Sequence, residues 1–177
     1  HTIPAVESEL VVLTPGKHTI IPLNTPQGDL EVKMASKDNY PFIIRKANID
    51  ETLNVQETNS KQRYLTGKYD IEVLTLPRFL IEDVEIEQSK TTTCTLPSTG
   101  TANISLPSKG YGGVYLTKDN KLELIYNLDE NKHRLTLHLL PGNYKVIFRA
   151  KSAKQYMYTT EKKFKVRSGK SELIKLY

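Results

Sequence analysis

A single cysteine, Cys94, occurs in 177 residues, so no disulfide can close within the chain and no cysteine-rich zinc site can be assembled. It sits in Thr91-Thr92-Thr93-Cys94-Thr95-Leu96, a β-favouring run in which a free thiol is expected to act as a small buried hydrophobe. No stretch approaches the roughly 18 consecutive apolar residues that cross a bilayer as a helix. Residues 1 to 10 lack the charged start and apolar middle of a signal peptide. The chain begins at His1, which fits a mature product, an excised fragment or the remnant of an expression tag. Catalytic patterns are missing too. There is no Gly-x-Ser-x-Gly elbow, no His-Glu-x-x-His and no phosphate loop, so the familiar serine-hydrolase, zinc-protease and nucleotide-binding chemistries have no carrier.

What is present describes a globular chain. Hydrophobic residues make up 38% and charged residues 25%, enough to bury a core, and a soluble protein is expected. The length admits one large β domain or two of roughly 90 residues each. Pro and Gly break the chain often, and no long segment carries a helical apolar period, so helix should be scarce. Lys163-Phe164-Lys165-Val166-Arg167 and His133-Arg134-Leu135-Thr136-Leu137-His138-Leu139 alternate polar and apolar residues, as strands with one wet face do. Asp50 to Arg63 is polar, and a loop with room for a short helix is expected there.

Three features recur in order in the two halves. Ile21-Pro22-Leu23 followed by Gly28-Asp29-Leu30-Glu31-Val32 is similar to Ile104-Ser105-Leu106 followed by Gly112-Gly113-Val114-Tyr115-Leu116. Leu65-Thr66-Gly67-Lys68-Tyr69 matches Leu140-Pro141-Gly142-Asn143-Tyr144 at an offset of 75, and Val84-Glu85-Ile86-Glu87 matches Phe164-Lys165-Val166-Arg167 at an offset of 80. Recurrence of this kind points to tandem modules. The expected architecture is all-β: two tandem small antiparallel β-sandwiches with little helix, over residues 1–97 and 98–177, divided at Leu96-Pro97-Ser98-Thr99-Gly100.

The tail of the second half, Leu140-Pro141-Gly142-Asn143-Tyr144-Lys145-Val146, then Phe164-Lys165-Val166-Arg167-Ser168-Gly169-Lys170, then Leu173-Ile174-Lys175-Leu176, resembles PEGA-type and carboxypeptidase-regulatory-like modules, which are small transthyretin-like sandwiches. The first half keeps part of that pattern, with Thr66 in place of the proline. The resemblance implies a non-catalytic accessory role in a bacterial exported protein, in the periplasm, at the outer membrane or on the cell surface. Such modules accompany other domains, including von Willebrand A domains, whose Asp-x-Ser-x-Ser motif this chain lacks.

Candidate chemistry is sparse. On a regular strand His133 and His138 face opposite sides, which argues against a shared metal, and no cofactor is expected. Lys109-Gly110-Tyr111-Gly112-Gly113-Val114 lacks the last glycine of a dinucleotide loop and is expected to form a β-turn. Glu82-Asp83 and Asp129-Glu130 are expected to be solvated turn or strand residues. Asn103-Ile104-Ser105 is a formal glycosylation sequon, disfavoured by its place in an expected strand.

Charge is the informative irregularity. Residues 1–97 carry 10 Lys or Arg against 14 Asp or Glu, and residues 98–177 carry 15 against 6, giving −4 and +9. A protein partner, or further domains of the same polypeptide, is the leading expectation. The alternative is a glycan or other polyanion bound by Lys162, Lys163, Lys165 and Arg167 with Tyr156 and Tyr158. Nucleic acid is disfavoured because no RNA-recognition signature accompanies the basic half.

Overall fold

The computed structural model describes residues 2–8, 10–36, 38–152 and 159–177. Fourteen strands and no helix occur among them. In the first half these are β1 (Gln27–Met34), β2 (Pro41–Lys46), β3 (Thr52–Glu57), β4 (Lys61–Leu65), β5 (Gly67–Val73), β6 (Phe79–Ile86) and β7 (Thr91–Leu96). The second half holds β8 (Gly100–Ser105), β9 (Gly110–Lys118), β10 (Lys121–Asn127), β11 (Arg134–Leu139), β12 (Gly142–Ala150), β13 (Thr159–Val166) and β14 (Ser171–Lys175).

The protein is all-β, with four sheets forming two small sandwich-like units. In the first unit the sheet orders are β4-β1-β7 and β3-β2-β5-β6; in the second they are β11-β8-β14 and β10-β9-β12-β13. Adding seven to each strand number of the first unit yields the second. The β1–β4, β2–β3, β2–β5, β8–β11, β9–β10, β9–β12 and β12–β13 pairs are antiparallel, and β14 runs parallel to β8. The compact units comprise residues 1–33, 39–73 and 80–95 in one case, and 34–38, 74–79 and 96–177 in the other.

Each core follows from period-two burial. In β5, Tyr69, Ile71 and Val73 point inward, as Tyr144, Val146 and Phe148 do in β12. They meet Phe42 and Ile44 of β2 in the first unit, and Val114 of β9 in the second. Leu76 packs against the second core, where its carbonyl accepts the Leu140 N–H at 2.7 Å.

Two turns recur atom for atom. The Tyr69 hydroxyl donates to the Leu65 carbonyl at 2.8 Å, and the Tyr144 hydroxyl donates to the Leu140 carbonyl at 2.6 Å. Burial raises the pKa of both phenols. Gly28 pairs with Tyr64 and Gly100 with Leu139. A Cβ on Gly28 would lie 2.1 Å from the Glu87 carbonyl oxygen, and one on Gly100 would lie 2.3 Å from that of Arg167. The following N–H groups, of Asp29 and Thr101, donate to the carbonyls of Lys90 and Lys170, both at 2.8 Å.

These contacts correct the sequence reading at several points. Gly28 has its counterpart in Gly100 of β8, whereas Gly112 lies on β9. Ile21 to Leu23 precede the first strand and Ile104 lies within β8, so the first of the three matches joined non-equivalent segments. Residues expected to form a loop, 50–63, contain β3 and most of β4; Glu57, Lys61, Gln62 and Arg63 are exposed, while Gln56 is buried and Asn54 bonds the hydroxyl of buried Tyr64. Gly110, Gly112 and Gly113 lie inside β9 and not in a turn, and a Cβ on Gly112 would fall 2.0 Å from the Ile147 carbonyl oxygen. Cys94 is half-buried on β7, its thiol pKa raised by desolvation, instead of a core residue.

Candidate interaction surface

Strand β13 carries the basic residues singled out in the sequence. Val166 and Phe164 turn inward, Phe164 stacking on Tyr144 with ring centroids 5.6 Å apart. Alternation therefore places Lys163 and Lys165 on the outer face, with Arg167 next in register beyond the strand end. Lys163 pairs with Lys145 of β12, which pairs with Tyr115 of β9, which pairs with Leu124 of β10. The outer face of this sheet thus runs from cationic at the β13 edge to apolar at the β10 edge, where Leu122 and Leu124 are 44% and 47% exposed. Lys145 is held by Glu161 at 2.8 Å and Arg167 reaches Glu172 at 3.8 Å. Lys162 has the opposite parity, and its ammonium donates to the Lys175 carbonyl at 2.8 Å. Of the six residues expected to form one surface, Lys163, Lys165 and Arg167 share a face, Lys162 leans the other way, and Tyr156 and Tyr158 lie outside the described residues.

The equivalent face of the first unit went unremarked in the sequence as a site. Val84 and Ile86 of β6 are buried, leaving Glu85 outward and Glu87 beyond the strand end. Alternation shifts at Asp83, whose φ is 55° and whose N–H donates to Asp70 Oδ1 at 3.0 Å, so Glu82 and Leu80 are also exposed on that side. Behind them Arg45 bonds Glu72 at 2.8 Å, and a shallow groove is lined by Arg45, Asp50, Asp70, Glu72, Leu80 and Glu82. The signal was readable: the offset of 80 that aligns Val84 with Phe164 also aligns Asp83, Glu85 and Glu87 with Lys163, Lys165 and Arg167.

The remaining candidates take structural roles. His133 precedes β11, and its carbonyl accepts the Leu106 N–H; His138 is exposed on β11. Among the described residues no three His, Cys, Asp or Glu gather as metal ligands. The Asp129 carboxylate accepts the Asn131 N–H at 3.0 Å, which lowers its pKa, and Glu130 pairs with Lys151 at 3.3 Å, which raises that of the lysine. Asn103 uses its amide to receive a bond from Thr136 and give one to Ser171. No helix among the described residues is long and apolar enough to cross a membrane.

No protein-family model matches the chain, and no curated protein matches it in sequence. Two solved structures are similar over most of its length. One is the Bacillus anthracis TIE protein, with TM-score 0.33 and 16% identity over 85% of this chain and 33% of that one. The other is GBS52, the minor pilin of Streptococcus agalactiae, with TM-score 0.38 and 11% identity over 84% of this chain and 94% of that one. The chain therefore spans a third of the TIE protein and nearly the whole of the minor pilin. Its own surface chemistry carries the functional reading.

Proposed function

We propose that the chain is a non-catalytic structural and protein-interaction element of a bacterial exported or cell-envelope protein, built from two copies of one PEGA-like, transthyretin-like module over residues 1–97 and 98–177. The matching strand orders, the paired tyrosine bonds and the paired glycine contacts support descent from one module. The observation that carries the interaction reading is the outer β13 face. Lys163 and Lys165 stand exposed without an ion-pair partner among the described residues, on a sheet that continues into exposed Leu122 and Leu124. Charge beside accessible apolar area is the composition of a docking patch.

Polyanion binding is the second reading, favoured by the Lys145–Lys163 pair beside Tyr115. One experiment separates the two. The intact chain and the K162S/K163S/K165S/R167S variant are exposed to a cell-envelope extract with cross-linking, and in parallel to a heparin-like polymer at low salt, where attraction is strongest. The interaction reading expects protein cross-links on β13 and β10 that the variant loses, with no retention on the polymer. Retention of the chain on the polymer alone, lost in the variant, would replace it with polyanion binding.

A further inference from the structure

Charge inversion at equivalent positions is the feature that a generic docking patch does not explain. Counterparts are set by hydrogen bonds and close contacts: Gly28 meets Ile86, Glu87 and Lys90 as Gly100 meets Val166, Arg167 and Lys170. Counting outward from these anchors, Glu85 corresponds to Lys165, Glu87 to Arg167 and Asp83 to Lys163. On the neighbouring strand, the bonds of Tyr69 and Tyr144 equate Asp70 with Lys145. All four positions change sign, on the same side of the same edge of the same sheet.

Charged edge strands have a general use, since they discourage unwanted strand pairing. That use needs charge of either sign and not opposite signs at matched positions. Clustering like charges also has a cost, because neighbours on one face repel. Glu82 has no ion-pair partner among the described residues, nor do Lys163 and Lys165; Glu87 pairs with Lys90, on which Glu85 also acts electrostatically, and Arg167 pairs with Glu172. Leu80 (63%) is exposed on the acidic edge strand itself, whereas Val55 (56%) in the first unit and Leu124 in the second are exposed on the same outer faces at the opposite edges of their sheets. Val55 pairs with Ile43 on the acidic face as Leu124 pairs with Tyr115 on the basic one.

We infer that the β6 face of one copy of this chain docks onto the β13 face of a second copy, Glu82, Glu85 and Glu87 opposing Lys163, Lys165 and Arg167. This rests on the interaction reading above and names its partner. A free polyanion would engage only the basic face; a second copy engages both. Because the two faces differ, the contact is heterologous, and each docked pair leaves one face of each kind open for further copies. Opposite charges set register and encounter, and the apolar side chains add buried area.

The test is sedimentation velocity on four proteins: the intact chain, E82K/E85K/E87K, K163E/K165E/R167E, and a control, K118E/K121E/K132E, that changes net charge as the β13 variant does but away from that strand. Asp83 is left intact because its backbone lies in the left-handed region. Matched far-UV spectra and melting temperatures establish that each variant is folded. At about 0.01 M salt, where the screening length is about 30 Å, the intact chain and the control associate; at about 1 M, where it is about 3 Å, they sediment as monomers. Each face variant alone associates roughly tenfold or more weakly, because it presents two faces of one sign. Mixing the two face variants restores association. Monomeric behaviour of the intact chain at low salt overturns the inference, and the envelope cross-linking then decides the broader reading separately. Equal loss in the control, or no recovery on mixing, overturns it as well, since net charge and not the paired faces would then govern association.

Discussion

At the scale of single residues, identical demands recur where the backbone comes close. Gly28 and Gly100 each sit against a carbonyl that a Cβ would overlap. Gly28→Ala and Gly100→Ala should each lower stability by about 1–3 kcal/mol through overpacking, read as a reduced denaturation midpoint; unchanged midpoints would show that the turn gives way freely. Tyr64 differs from its counterpart, Leu139, in bearing a hydroxyl, which accepts from Asn54 at 2.8 Å and donates to Gln56 at 2.9 Å. Burial, partly offset by the Asn54 bond, pushes its pKa from 10.0 to about 12. The folded form therefore holds its proton more tightly than the unfolded chain does. This contribution to stability is complete below pH 10 and is lost as pH rises from there through about 12. Melting temperature should fall steeply over that window, less steeply in Tyr64→Phe, which should start lower at neutral pH because Gln56 loses its donor. An equal alkaline slope in both proteins would remove Tyr64 as the cause.

Among the elements, alternation alone made β11 and β13 readable, because each keeps one face in water. Strands β3 and β4 were not readable as such. Their exposed residues include Thr52, Glu57, Lys61, Gln62 and Arg63, and their inward residues include Gln56, which is polar but buried at 6% exposure. The β9–β10 hairpin shows how turn chemistry sets register. Asp119 and Asn120 form its two-residue turn with φ of 50° and 59°, the conformation that suits the right-handed twist of paired strands. Asn120→Ala should destabilise by about 1 kcal/mol, since a left-handed backbone costs alanine about that much, and Asn120→Gly should not. Thermal midpoints in the order Gly at or above Asn, with Ala lowest, are the expected result; an unaffected Ala variant would mean that strand pairing alone holds the turn.

In the molecule as a whole, two cores are present, each with a three-stranded and a four-stranded sheet. If residues 1–97 and 98–177 are the modules, fragments cut there should each unfold in one cooperative transition; a fragment lacking one would show that stability depends on the rest of the chain. The all-β class and the glycine–tyrosine match were determined by the sequence alone, because side-chain periodicity and turn chemistry are local and act within a few residues. So was the opposite charge of the two halves, which is a sum over residues. Tertiary structure alone decided that Gly28 answers to Gly100 and not to Gly112, since that equivalence depends on which carbonyl lies opposite. The offset of 80 already aligned Asp83, Glu85 and Glu87 with Lys163, Lys165 and Arg167 in the sequence, but only tertiary structure decided that both sets lie on the outer face of a sheet edge. A sheet edge is defined by strand order, and strand order is set by pairing between residues far apart in the chain.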